Sequence, residues 1–464
     1  MRRADFLVGL ATLAAGCLAV APGAAAQAIA ALPMSDTALI GRFARGPVDL
    51  PVRVGAAEFA VTFSSGNPAA WPAEIQAREF FANGGTSLYV VRVAEGIPLT
   101  AALLGRASDF TGVHAVETLS DLRLLIAPEL SLLPAGDFAT VLAGLRAYVE
   151  VRRIFLIVDP PPGIADANAM VAWTQASVPG DAAFCAVYYP SLLVQIDGTP
   201  LTVPPCGAMA AIYAQADSTN GIWRSPSGTG FPIQALGLSA AVNTTDSNLL
   251  NTNGINPIRQ FTTIVPFGAR TRDLSPSDTR YIPVVRARDW IAACIERGLA
   301  FAARQDDAEP LWSQIRTGVG NFLDGLWQQG AFIGSTAAHA YFVRCDATTT
   351  SSADVAAHQV NVLYGTAFLR SDEFTLNMLT ALTLDSQRPV PVPQLQAHNL
   401  AGSLVLAFPT VPGFDYTLEG SGDLHSGMWL GAAMPVGGDG AWHSFVVPIT
   451  SARGFSRLRI VPSP

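Results

Sequence analysis

The chain has 464 residues, half of them apolar and 14% charged, so it can bury a large core and has room for roughly two to four domains. Its net charge is −8, and all 28 basic residues are arginines scattered without a basic run, which excludes the electrostatic footprint of a protein that grips a nucleic-acid backbone. None of the five cysteines (Cys17, Cys185, Cys206, Cys294, Cys345) has a C-x-x-C partner, which excludes zinc and thioredoxin-like sites and leaves free, buried thiols as the expectation.

Residues 1–27 read as a leader. Two arginines precede an apolar stretch and a run of small residues ending Ala24-Ala25-Ala26, the pattern of a secretory signal cleaved before Gln27. The apolar run is too short for a comfortable membrane span, so any membrane contact is through the cleavable leader alone. The alternatives are a misplaced start codon or an apolar assembly arm.

Residues 28–112 predict strands around "ALIGRFARGPVDLPVRV", a short helix near Ala73–Ala82, and a strand at Ser87–Val93. Asn83-Gly84-Gly85 ends that helix, as glycine at a left-handed cap does. Between 113 and 282, near-continuous apolar strands ("LRLLIAP", "RIFLIVDPPPG", "AFCAVYYP") alternate with helices near Gly136–Val151, Ala167–Ser177 and from Cys206. That alternation predicts an α/β domain whose parallel sheet is covered on both faces. Residues 217–282, rich in Ser, Thr, Asn, Gly and Pro, read as long ordered loops.

Residues 283–385 predict a separate α+β unit. Its clearest helix carries Leu311, Trp312, Ile315, Val319, Phe322, Leu323, Leu326 and Trp327 on one stripe, opened by Pro310 and closed by Gly330. Strands follow at "AYFVRCD", "QVNVLYGTAFL" and "EFTLNMLTALTL". Residues 386–394 form a stiff Pro-rich linker, and 395–464 alternate in short strands as a small all-β sandwich does.

The reactive side chains do not assemble into a catalytic pattern. In "AYFVRCD" the strand period puts Cys345 on one face with Tyr341 and Val343, toward a core, and Phe342, Arg344 and Asp346 on the other. Arg344 and Asp346 then read as a structural ion pair or an interface contact. Cys294 falls on an apolar helical stripe. Cys206, at a helix start after two prolines, is the one thiol whose pKa amide dipoles would lower, although a small residue packed at a cap is the plainer reading. Asp159 ends a parallel strand, where α/β active-site residues often sit. No G-x-S-x-G, H-E-x-x-H or Gly-rich phosphate loop occurs. The residues point to no enzyme, no cofactor and no metal.

Several stretches, in order over residues 37–382, resemble the contractile tail sheath family of phages and related injection systems. They are "ALIGRFARGPVDLPVRV" with "AREFFANGGTSLYVVRV" (Asn83, Gly84, Gly85, Arg92), "RIFLIVDPPPG" (Asp159, Pro160, Pro161), and "LLNTNGINPIRQF" (Asn251, Gly254, Asn256). The most specific is the run from "IERGLAFAARQDDAEPLW" through "AYFVRCDATTTSSADV", with Trp312, Arg344 and Asp346. The resemblance implies a subtilisin-like, three-layer α/β middle domain without a protease's machinery, and a sheath C-terminal α+β domain. It implies a structural, self-assembling protomer in a helical, contracting sheath, with the inner tube and baseplate proteins as partners. Neighbours would be tied by arms that add strands to an adjacent subunit's sheet; Glu373–Leu384 is the expected inter-subunit strand, with Glu373, Phe374, Leu376, Met378 and Leu384 as its named positions. Two departures stand out. The leader replaces the family's N-terminal arm, suggesting export rather than location in an assembled tail. The C-terminal arm runs on into a sandwich whose "YTLEGSGDL" through Trp429 resembles fibronectin-like domains. The second reading of the chain is therefore an exported, sheath-fold surface or adhesion protein that does not contract.

Overall fold

The computed structural model describes residues 28–463 except 386, 401–402, 422–429, 432 and 449–454. The expected leader and Trp429 lie outside the described residues. The central layer is an eight-stranded mixed sheet. Its strands are β1 (Thr37–Gly41), β2 (Val52–Val54), β3 (Leu88–Arg92), β4 (Leu124–Ile126), β5 (Phe155–Val158), β6 (Cys185–Tyr189), β7 (Asn256–Gln260) and β8 (Ile264–Pro266). The order across the sheet is β8-β7-β6-β5-β4-β1-β3-β2. The six inner strands run parallel and the two edges antiparallel.

Alternation along each inner strand feeds two cores. Leu39, Leu124, Ile126, Phe155, Ile157 and Tyr188 face helices Pro72–Ala82 and Cys206–Asn220. Ala38, Ile40, Leu125, Leu156, Val158 and Val187 face helices Ala135–Arg152 and Ala167–Ser177. A sheet buried on both faces has no need of polar alternation, which is why its strands read as short apolar runs.

Two expectations need correction. The boundary at 112/113 is not a structural one, because β1, β2 and β3 from the first segment are hydrogen-bonded into the same sheet as β4 to β8. Residues 217–282 are not only loops: they contain helix Thr244–Thr252 and the strands β7 and β8. That helix is opened by reciprocal bonds between Asn243 and Asp246, a capping box hidden among polar residues that also suit loops. β7 contains Asn256 and Pro257, which carry no strand signal.

The C-terminal unit packs helices Ile282–Gly298 and Glu309–Gln328 on one face of a three-stranded antiparallel sheet, β9 (Tyr341–Arg344), β10 (Gln359–Thr366) and β11 (Thr375–Leu382). Its core includes Trp290, Ile315, Val319, Leu323, Val362, Tyr364 and Leu379. A bidentate ion pair ties this unit to the α/β body: Arg286 donates to Asp217 at 2.6 and 2.8 Å, with both side chains almost wholly buried. Beyond a described stretch without regular structure, two small antiparallel sheets close over Phe408, Phe414, Tyr416, Leu418 and Phe445 as a sandwich. It leans on the body through the edge-to-face pair Phe110–Trp442 and through Arg304, which reaches Asp415 and Ser463.

Candidate assembly surface

β11 is an edge strand, and its hydrogen-bond phase follows from one contact. Thr383 N–H donates to His358 O at 2.9 Å, one step beyond the paired residues Gln359 and Leu382. In an antiparallel ladder, inward and outward residues alternate. Thr375, Asn377, Leu379 and Ala381 therefore turn their backbone groups toward β10. Leu376, Met378, Thr380 and Leu382 turn theirs outward, where none has a backbone partner among the described residues. The next outward amide, Leu384, donates to Gln305 O at 2.9 Å, so the open edge stops there.

The outward residues also carry the exposed side chains. Leu376 is 61% exposed and Met378 57%, while Leu382 and Leu384 are exposed to lesser degrees. Leu363 and Phe342 lie on the same face through the pairs Leu363–Met378 and Phe342–Gly365. An open edge bordered by apolar side chains is a template for another strand. Of the other positions expected in this strand, Glu373 is exposed and paired with Arg370 at 3.0 Å, and Phe374 stands edge-to-face on Phe342 with centroids 5.2 Å apart. The segment before β1, by contrast, is held by its own subunit. Leu32 donates to Cys294 Sγ and accepts from Trp290 Nε1, and Met34 O accepts from Arg286.

The motif residues are scattered over the fold, each with a local structural task. Asn83 is buried: its Oδ1 accepts from Gln234 N at 2.7 Å and its Nδ2 returns to Glu79 O. Gly84 has φ +87°, and a side chain at Gly85 would strike the Phe80 ring. Arg92 bridges Gly46 O and Glu95. Asn256, fully buried, donates to Val187 O and Arg270 O and accepts from Arg270 N, pinning β7 to β6. Asn251 O accepts from the Gly254 amide where the chain turns with φ +65°. Trp312 Nε1 donates to Asp307 at 2.6 Å.

Of the two readings of Arg344 and Asp346, ion pair or interface contact, the first is not met: among the described residues no salt bridge joins them. Arg344 is exposed on the open face, and Asp346 lies just past the end of β9, where its carboxylate accepts from the Thr348 amide and hydroxyl in the following turn.

The reactive groups are packed shut. Cys345 sits in the core beside Val343 and Tyr341, and burial pushes its thiol up to about 12. Cys206 does begin a helix, but burial and the neighbouring Asp159 raise its pKa well above that of a free thiol; the expected dipole effect is outweighed. Asp159 accepts from Cys206 N at 3.1 Å, and burial lifts its pKa to about 7. Pro160 is buried beside it and Pro161 half-buried. Gln76 Oε1 accepts from Gly207 N and the Cys206 thiol, so this end of β5, where an α/β sheet commonly holds a ligand, is filled with protein. Among the described residues no three His, Cys, Asp or Glu side chains are placed to hold a metal ion, and no helix is long and apolar enough to cross a membrane.

No protein-family model matches the chain, and no curated protein does. Solved structures do. A chain of the anti-feeding prophage (AFP) baseplate, 6-fold symmetrised, is 26% identical over 81% of this chain and 100% of that one, with a TM-score of 0.59. A chain of an extracellular contractile injection system, the PVC sheath complex in the contracted state, is 26% identical over 82% of this chain and 99% of that one, with a TM-score of 0.60. The sheath tail protein of Desulfitobacterium hafniense, at 12% identity over 75% of this chain and 96% of that one and a TM-score of 0.50, shares the fold. With its mixed α/β body and its large mixed sheet, this chain has the fold of contractile tail sheath proteins and is similar to solved chains of contractile injection systems along nearly their full length.

Proposed function

We propose that the chain is the structural protomer of a contractile sheath, self-assembling helically around an inner tube above a baseplate and contracting along it. The observation that carries this is the match to a contracted injection-system sheath over 99% of that chain. A heterologous contact whose rotation does not close yields an open helix, as a sheath requires. The outer edge of β11 supplies the contact: strand addition there gives main-chain hydrogen bonds that survive sliding of the domains they join. The extended state is held by a barrier, so its stability is kinetic.

The three-layer body then acts as a subtilisin-like scaffold without catalytic use, in keeping with structural rather than enzymatic neighbours. The sandwich decorates the outside, where an added domain is tolerated. The alternative of an exported surface or adhesion protein is not favoured, because the similar chains belong to sheath and baseplate assemblies. Negative-stain electron microscopy of the purified full chain tests the proposal. Rings or tubes are expected, and deletion of residues 373–384 should abolish them. A monodisperse monomer at high concentration would refute it.

A further inference from the structure

A pocket of about 360 Å³ lies between helices Ala56–Thr62 and Pro72–Ala82 and the hairpin turn after Leu192–Ile196. Its apolar wall is Phe59, Phe81, Ile196 and three alanines, and Ser64, Arg78, Gln195 and Asp197 line the rest. Glu79 lines it, only 4% exposed, with Oε2 buried and no hydrogen bond or ion pair reaching the carboxyl among the described residues. Arg78, the one arginine lining the pocket, is committed elsewhere: it pairs with Glu74 at 2.9 Å and Asp197 at 3.0 Å and donates to Ser64. Glu58 on the neighbouring helix is occupied by the Gly55 amide. Burial is the sole cause of the shift at Glu79, so when it ionises no neighbouring charge compensates its carboxylate.

A buried acceptor without a donor is costly, and most are satisfied by something. Aromatic faces attract cations, and a desolvated carboxylate attracts them more strongly than an exposed one. We propose that this pocket binds an organic monocation, a guanidinium or primary ammonium on a short apolar stem, with its charge against Glu79 and its stem between Phe59, Phe81 and Ile196. The cation is either a free small amine or an arginine side chain of a second copy, arginine being the only basic residue type besides histidine in this chain. Binding requires Glu79 to lose its proton. Burial raises its pKa to about 7, so affinity rises with pH through neutrality and levels off above it.

The test is calorimetric titration of the full chain, kept unassembled, with n-butylguanidinium. Saturable binding is expected at pH 8.5, roughly 30-fold weaker at pH 5.5, where only a few per cent of Glu79 would be ionised. Glu79→Gln should abolish it, with unfolding curves showing that the variant folds. In the wild type, the ¹³C-detected titration of the Glu79 carboxyl should shift downward on binding. Uptake by assembled tubes as well as by the free chain would identify a free amine as occupant; uptake by the free chain alone would identify a neighbour's arginine. Equal affinity for the neutral n-butylurea, or binding retained by Glu79→Gln, would overturn the proposal.

Discussion

Two proline substitutions one residue apart separate the fold of β11 from its role in assembly. Met378 turns its N–H to the open edge, and Leu379 turns its N–H to β10. Met378→Pro removes a donor that the isolated subunit does not use, at a position where an edge strand accepts proline; the expected cost to folding is about 1 kcal/mol or less. Leu379→Pro breaks the internal ladder and removes a side chain only 5% exposed, a loss of about 3–5 kcal/mol. For assembly the order reverses in informativeness. With the outer edge as the proposed inter-subunit strand, Met378→Pro would remove one hydrogen bond and an apolar contact from a side chain 57% exposed, together about 2 kcal/mol per contact. Since 1.4 kcal/mol is tenfold, the critical concentration for tubes should rise about 30-fold. Urea unfolding of unassembled protein gives the first quantity, and sedimentation of tubes against protein concentration gives the second. Assembly of Met378→Pro at the wild-type concentration, or equal destabilisation by both prolines, would refute the assignment of the outer edge.

Removing one partner of the buried Arg286–Asp217 pair, as in Asp217→Ala, should cost about 3–5 kcal/mol in urea unfolding, because Arg286 is left charged and buried. Glu79, Glu129 and Asp159 all have folded pKa values near 7, raised mainly by burial. The unfolded chain releases these protons near pH 4 while the folded chain keeps them to about 7, so stability should fall as pH rises from 4 to 7 and level off above. Carboxylates with lowered values, such as Glu74 and Asp439, act in the opposite sense but only below pH 4.5. Glu129→Gln should flatten the slope measured by urea titrations across that range. Native Cys206 should resist maleimide labelling until the protein is unfolded, since it is buried and its thiolate is disfavoured.

The elements that sequence reading recovered are those whose environment is uniform along their length. Ala167–Ser177 and the stripe from Leu311 to Trp327 each face one core, so a single period writes the burial into the residues. Helix Thr244–Thr252 and strand β7 were missed because they are built largely from polar residues, and the β6 strand that seats β7 in the sheet lies far along the chain. Asn256 is legible as a strand residue only when Val187 and Arg270 are seen beside it. The joining of the first strands to the α/β sheet was illegible for the same reason: parallel pairing leaves no turn between partners to mark it. At the candidate surface the alternation of Leu376 and Met378 against Thr375 and Asn377 was readable. Which set faces outward was not, because a one-residue change of phase reverses it. Glu79 gave no signal at all, being one of two glutamates in a helix of mixed polar and apolar residues, and only its surroundings distinguish it.

The most direct measurement is a helical reconstruction of tubes grown from the full-length protein, at a resolution that traces strands. The account requires a segment of a neighbouring subunit hydrogen-bonded to the outward backbone groups of Leu376, Met378, Thr380 and Leu382. Tubes in which that edge faces solvent, with subunits joined elsewhere, would contradict it.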